Sequence, residues 1–237
     1  MPLGQHPKGC DDSLELTYDA IRANSAVNTY ILAGNDALGT IGYTEHGFAH
    51  ATKAALSSAE ILEQLHYDAH TVELARIAGY LHDIGNMVNR NDHALTGGTM
   101  AFSLLTSLGG NPADIAVICA AIGNHDELSG QPVNAVAAAL VLADKSDVRR
   151  TRVRPLKTAG GGFISDIHDR VNYAAVSNAL ELDADAKSIT LRLQIDTEIC
   201  AVMEYFEIFL NRMLMSRRAA EYLGLSFHLE INGTQML

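Results

Sequence analysis

Six residues that can bind a metal ion lie in five separate segments, each with the apolar spacing of an amphipathic helix. They are His50, His82, Asp83, His93, His125 and Asp144. His82 and Asp83 are adjacent, so one rigid element offers two ligands at little entropic cost. The set converges on one cavity only if the helices pack as a bundle with those ends facing inward. The sequence therefore predicts a mainly α fold.

The His82-Asp83 pair also has an ordinary explanation. A helix that ends with Asp83 as a cap and Gly85 as a stop contains the same dipeptide without binding a metal. The order of the other candidate ligands favours the metal site. Upstream, His46 and His50 are four residues apart, which places both imidazoles on one face of a helix.

The order His50, His82-Asp83, His93, His125, Asp144 resembles that of the HD-domain metal-dependent phosphohydrolase superfamily, over roughly residues 43 to 150. The segments that carry the resemblance are "HATKAALSSAEIL", "LHDIGN", "HALTGG" and "LVLADKSD". The resemblance implies an HD-domain helical bundle. His93 and His125 are similar to those of two-metal members such as the HD-type diadenosine tetraphosphate hydrolases, which implies a dinuclear centre that Asp83 can bridge. Asn86 departs from the pattern, because many relatives carry Lys after the Gly.

His46 has two interpretations. In the cyclic-nucleotide phosphodiesterases, which are distant HD relatives, a His four residues before the first metal-binding His gives a proton to the leaving oxygen, and His46 has that spacing to His50. The alternative is a histidine that supports the ligands or begins the helix. A general acid must lie within hydrogen-bond reach of the leaving group, so the sequence leaves both open.

The ligand types predict hydrolytic chemistry. Imidazoles and carboxylates without cysteine suit one or two divalent ions per chain, taken from Fe, Mn, Zn, Co, Ni or Mg. Paired ions lower the pKa of a bridging water from about 15.7 towards 7, giving hydroxide for in-line attack on phosphorus. The predicted activity is hydrolysis of a phosphate mono- or diester or a nucleotide anhydride, with His46, Asp83 and Lys145 as catalytic residues.

A basic stretch, "DKSDVRRTRVRPLK", follows the last predicted ligand. Guanidinium forks there suit the phosphates of a substrate, and nearness to Asp144 favours Lys145, Arg149 and Arg150 as the phosphate-binding residues. For Arg152 and Arg154 the favoured interpretation is a solvated helix end leading into a linker. Asp126 and Glu127, after His125, could hold its outer N–H or lie exposed in the loop before Gly130, and the exposed interpretation is favoured.

Composition restricts the partners. A net charge of −11 over 237 residues argues against a general nucleic-acid surface. No apolar run is long enough to cross a bilayer, and the first residues lack a charged-then-apolar signal pattern. Three cysteines without a CxxC motif fit a reducing compartment. We expect a cytoplasmic protein, a homodimer, whose substrate is a small phosphorylated molecule, a nucleotide.

Two parts are expected along the chain. Residues 1–158 form the helical core, with two helices in residues 11–42, the first capped by Ser13. Residues 159–237 form an α+β appendage, on the core or at a dimer interface, with strands "SITLRLQID" and "SFHLEING" around one long helix. Thr197 is the predicted N-cap of that helix and Gly224 its stop. His168-Asp169 is placed in a loop near the site, where it could also contribute to substrate binding across a dimer.

Two other functions share these features. An HD scaffold with a His-rich diiron site can activate dioxygen, as in the inositol oxygenase, and a non-catalytic nucleotide-binding or regulatory protein could hold its ligand through the metal. Redox activity separates the first from a hydrolase. Six intact ligands argue against the second.

Overall fold

The computed structural model describes residues 15–154 and 166–237. Within these ranges the chain is mainly helical, with a small sheet near its C-terminal end, as the sequence predicts. The first seven helices are α1 Tyr18–Ala23, α2 Ser25–Thr40, α3 Phe48–Gln64, α4 Ala69–Leu81, α5 His93–Ser107, α6 Pro112–Gly123 and α7 Ala135–Lys145. The later elements are α8 Ile167–Ala174, β1 Ala175–Asp183, β2 Ser188–Ile195, α9 Val202–Tyr222, β3 Ser226–Ile231 and β4 Thr234–Gln235. Short 3-10 turns lie at Ile84–Met87 and Arg150–Arg152.

Polar caps define where the core helices begin. Asp68 accepts a hydrogen bond from Thr71 N–H at 2.9 Å before α4, and Asn134 accepts one from Ala137 N–H at 2.7 Å before α7. These bonds satisfy donors that have no partner inside the helix. α1 begins after Thr17; the predicted cap Ser13 lies outside the described residues.

Close packing of α3, α4 and α7 brings the predicted ligands to one end of the bundle. A Cβ added at Gly79 of α4 would lie 2.6 Å from the Cα of Ala55 in α3, so the two backbones touch there. Every residue of α7 from Val136 to Lys145 is buried. Because many of these side chains are alanines, neighbouring helices approach α7 closely. None of the described helices is both long and apolar enough to cross a membrane.

The C-terminal sheet has the order β1-β2-β3-β4. β1 and β2 are antiparallel, β2 and β3 are parallel, and β3 and β4 are antiparallel. The parallel pair needs a crossover, and α9 provides it. The buried strand residues, alternate positions of β2 and β3, join the same apolar cluster as the helical core, and α9 also packs against α7. Residues 166–237 therefore pack on the core, while the predicted boundary at residue 158 lies outside the described residues and stays a prediction.

Two predictions for the C-terminal part are wrong. His168-Asp169 lies in α8 and not in a loop, because Asp166 Oδ1 accepts from the N–H groups of His168 and Asp169 and caps a helix there. α9 begins after Ala201 and not after Thr197. The carbonyl of Asp196 accepts hydrogen bonds from the N–H groups of Ile199 and Cys200, which form a separate turn. The backbone of Ala201 is extended, so α9 starts only after this residue. Gly224 follows the helix with φ +76°, in agreement with its predicted role as the stop.

Candidate metal centre

The rings of four histidines direct Nε2 into one buried cluster. His82, His93 and His125 each donate Nδ1–H to the backbone carbonyl three residues earlier, at 2.8, 3.1 and 2.6 Å. His50 donates Nδ1–H to Oδ2 of Asp147 at 2.8 Å. Since each Nδ1 faces an acceptor, the neutral rings carry their lone pairs on Nε2, the form that binds a metal ion.

The Nε2 atoms lie in two close pairs. His50 Nε2 is 3.2 Å from His82 Nε2, and His93 Nε2 is 3.1 Å from His125 Nε2. Two lone pairs at that distance repel each other unless a proton or a metal ion lies between them. Ligands about 2.0–2.2 Å from one ion, at the usual angles, are separated by about 3.0–3.5 Å. Each pair therefore has the spacing of two ligands to one ion.

Asp83 presents one oxygen to each pair. Oδ2 is 3.6 Å from His50 Nε2 and 3.3 Å from His82 Nε2, whereas Oδ1 is 3.5 Å from His93 Nε2 and 3.9 Å from His125 Nε2. Oδ2 is buried and accepts no hydrogen bond from the described residues. A buried carboxylate oxygen without a partner is costly, and a cation beside it removes that cost.

Asp144 completes the cluster. Its Oδ1 is 3.2 Å from His50 Nε2, and its Oδ2 pairs with Lys145 Nζ at 2.8 Å. The ligand atoms form three groups in which all members lie within 4.8 Å of one another, namely His50-His82-Asp83, His82-His125-Asp144 and Asp83-His93-His125. All six predicted ligands thus come together, and the residues present fit one or two divalent ions.

The acid-base balance of the cluster also favours a cation. Burial alone would raise the pKa of Asp83, but the nearby imidazole of His82, and the charges of His46 and His93, hold that pKa well below its usual range. Although burial lowers the pKa of His82, Asp83 outweighs it and raises that pKa. Burial holds the pKa of His125 well below its ordinary value. The carboxylate is ionised, and a proton on His82 or a metal ion satisfies it.

A cavity of about 740 Å³ has His46 in its wall. Three arginines and a second histidine contribute its basic groups, and three aspartates its free acidic groups. They are Arg90, Arg152, Arg212 and His168, and Asp92, Asp126 and Asp166. Tyr43 and Phe209 add aromatic surface. The cavity is large enough for a small organic ligand with both polar and apolar parts.

His46 is half-buried beside the cluster, with its ring centre 5.4 Å from that of His50. It donates Nδ1–H to the carbonyl of Thr44 at 2.8 Å, which leaves the lone pair on Nε2. Burial, reinforced by the charge of Arg152, holds the pKa of His46 well below its ordinary value. The ring is therefore neutral at pH 7 and can give a proton only after Nε2 has taken one up.

Residues 47–149 match the HD domain family. All six candidate ligands lie inside this match. An uncharacterised protein of Methanocaldococcus jannaschii is 24% identical over 208 residues, which are 78% of this chain and 78% of that protein. The crystal structure of a predicted HD superfamily hydrolase from an uncultured Thermotogales bacterium aligns with a TM-score of 0.42 and 22% identity, over 55% of this chain and 73% of that chain. The HD-domain match supports a metal-dependent hydrolase at the level of the superfamily.

The three residues predicted to bind phosphate do not line the cavity. Lys145 is 4% exposed and lies between Asp144 Oδ2 at 2.8 Å and Glu127 Oε2 at 2.7 Å. Arg149 donates Nε–H to Asp147 at 2.8 Å. Arg150 donates to the carbonyl of Tyr173 and stacks 4.5 Å from that ring. Their phosphate-binding role stays a prediction that these placements do not favour.

Other residues near the HD-domain site escaped the sequence argument. Arg152, expected at a solvated helix end, is 3% exposed and borders the cavity. Arg212 reaches the cavity from α9. His168, which the sequence argument did place near the site, reaches it from α8. Asp147 accepts the hydrogen bond of His50 and was also missed. Its position in the sequence could have indicated it, because it lies three residues after Asp144 and therefore near the same end of α7.

Glu127 was expected to be exposed, and the structure corrects this. It accepts from Arg212 Nε at 3.2 Å and pairs with Lys145. Burial would raise the pKa of Glu127, but these two cations lower it. Neither Glu127 nor Asp126 holds the outer N–H of His125, because the carbonyl of Ile122 accepts it.

Proposed function

We propose that the protein is a metal-dependent phosphohydrolase that cleaves a phosphate mono- or diester or a nucleotide anhydride. The observation that carries the proposal is the convergence of four imidazole Nε2 atoms and two carboxylates beside a cavity that contains three arginines. The cluster suits divalent cations and the arginines suit phosphates, which supports a phosphate ester as the substrate.

The arrangement has places for two ions. His50, His82, Asp144 and Oδ2 of Asp83 would hold one, and His93, His125 and Oδ1 of Asp83 would hold the other. Divalent ions in such a site supply Lewis acidity to phosphoryl oxygens and lower the pKa of a water molecule. The dinuclear state is part of the proposal.

The chain's own residues orient the ligands and move the proton. The acceptors behind each Nδ1 fix the imidazole rings, and Asp147 holds the ring of His50. Hydroxide derived from that water would form the new O–P bond on one side of the phosphorus. On the opposite side His46, which has first taken up a proton at Nε2, gives that proton to the leaving oxygen as the old P–O bond breaks.

The cavity supports a nucleotide as the substrate. Its volume of about 740 Å³ falls in the range of small-molecule sites. Tyr43 and Phe209 can contact a planar base, while the arginines contact phosphate. The predicted homodimer and the cytoplasmic location stay predictions.

The test combines metal analysis with a substrate panel. The purified protein is assayed for bound metals and for phosphate release from nitrophenyl phosphate mono- and diesters, nucleoside phosphates and dinucleoside polyphosphates. We expect metal-dependent hydrolysis that Asp83→Ala abolishes and that Asp185→Ala, in the exposed turn between β1 and β2, leaves intact. A metal-loaded protein that hydrolyses none of these substrates would contradict the proposal. Dioxygen consumption by an iron-loaded form would indicate the oxygenase instead.

A further inference from the structure

Two arginines from distant parts of the chain border the same cavity. Arg152 lies in the 3-10 turn after α7, and Arg212 lies in the middle of α9. Arg152 donates Nε–H to the carbonyl of Glu45 at 3.0 Å and Nη1–H to the carbonyl of Asp147 at 2.9 Å. Arg212 donates Nε–H to Glu127 and stacks 4.6 Å from the ring of Phe209. Both guanidinium groups are therefore held in place by the protein.

Each guanidinium keeps donors free. Nη2 of Arg152 and both Nη atoms of Arg212 make no hydrogen bond to the described residues. Both residues line the cavity. An arginine that is anchored on one edge and free on the other is prepared for a forked contact with an oxyanion.

The carboxylates beside the two arginines are shared with other cations. Glu127 is shared between Arg212 and Lys145, and Asp147 is shared among His50, Arg149 and Arg152. Two guanidinium groups on one cavity wall also repel each other. An anion between them would remove that repulsion.

We infer that Arg152 and Arg212 form an anion subsite that binds a phosphoryl group of the substrate. The inference rests on the proposed function and names the residues that recognise its substrate. Asp92, Asp126, Asp166 and Glu127 also border the cavity and disfavour an anion beside them, whereas the arginines favour one. The long helix α9 thereby contributes directly to a site whose metal ligands all lie before residue 145.

Binding of inorganic phosphate to the purified, metal-containing protein tests the subsite by isothermal titration calorimetry. Arg212→Gln removes the fork and should weaken phosphate binding about 10- to 100-fold, the scale of charge-assisted hydrogen bonds. Arg212→Lys keeps the charge without the forked pair of donors, so its phosphate affinity should lie between those of the wild type and Arg212→Gln. Arg218→Gln is the matched control, because Arg218 is exposed on the same helix. It should bind phosphate as the wild type does.

Metal content separates direct binding from an indirect effect. Arg212 is linked to Asp144 through Glu127 and Lys145, so each variant is also analysed for metal. Unchanged metal with weaker phosphate binding supports the subsite. Loss of metal, phosphate binding equal to wild type in Arg212→Gln, or no binding by the wild type overturns it. If phosphate binding depended on Arg212 but the protein hydrolysed no ester, the anion subsite would be supported and the proposed hydrolase activity would be refuted.

Discussion

Replacement of Asp147 with asparagine is expected to weaken metal binding although Asp147 is not a proposed ligand. The Asp147 side chain is 0% exposed and lies behind the His50 ring, on the side of Nδ1. Its carboxylate accepts from His50 Nδ1 at 2.8 Å and from Arg149 Nε at 2.8 Å. Two donors therefore depend on one buried anion.

Asparagine retains the shape of aspartate but carries one acceptor oxygen and one NH₂ donor. If the oxygen faces His50, the NH₂ group opposes the donor of Arg149. In the reverse orientation, the His50 proton must move to Nε2, which removes the lone pair that binds the ion. Either arrangement loses a charge-assisted hydrogen bond, worth about 1.5–3 kcal/mol. We expect metal affinity to fall about 10- to 100-fold, as is usual when a residue that orients a ligand is replaced.

Competition against a chromophoric chelator measures the dissociation constant of the metal, and circular dichroism reports whether the variant is folded. Asp185→Asn is the control, because Asp185 lies in an exposed turn. If folded Asp147→Asn bound metal as tightly as the wild type, His50 would not be a ligand oriented by Asp147.

Three further predictions concern the same site. Gly85→Ala should be destabilised by about 1–3 kcal/mol and lose metal, because its Cβ would overlap the backbone of His93, whereas Gly123→Ala, which meets nothing within 4 Å, should melt like the wild type. The wild type should approach two metals per chain by elemental analysis, and His93→Ala or His125→Ala should approach one; a wild type saturated at one ion would refute the dinuclear proposal. His46 gives a proton only when it is protonated and its pKa is lowered, so kcat/KM for an alkyl phosphate ester should decline as pH rises through 7. His46→Gln should remove that decline and slow an alkyl phosphate ester about 10²- to 10⁴-fold, a p-nitrophenyl ester much less, with metal content unchanged; equal losses on both esters would end the proton-transfer role.

The sequence was sufficient for the helical core and for the meeting of the six ligands. Apolar spacing of 3.6 residues is a local property, and His82-Asp83 lies where such a segment ends. Ligands at the ends of five helices leave a bundle as the arrangement that joins them. The long α9 and the strands β2 and β3 were also visible as a change of period. β1 was missed, although Leu180 and Leu182 alternate with polar residues. No turn residue separates β1 from α8, so the sequence does not mark where the strand begins.

The tertiary structure alone decided which charged residues face the cavity. Arg149, Arg150 and Arg152 lie within four positions of one another in a segment with little regular structure, where each backbone angle redirects the next side chain. Arg150 turns to Tyr173 and Arg152 to Glu45, and these partners are far away in sequence. Arg212 approaches the site only because α9 packs against α7. Ligand identity follows from residue type and helical period, whereas the direction of a long cationic side chain depends on contacts that form only after the chain has folded.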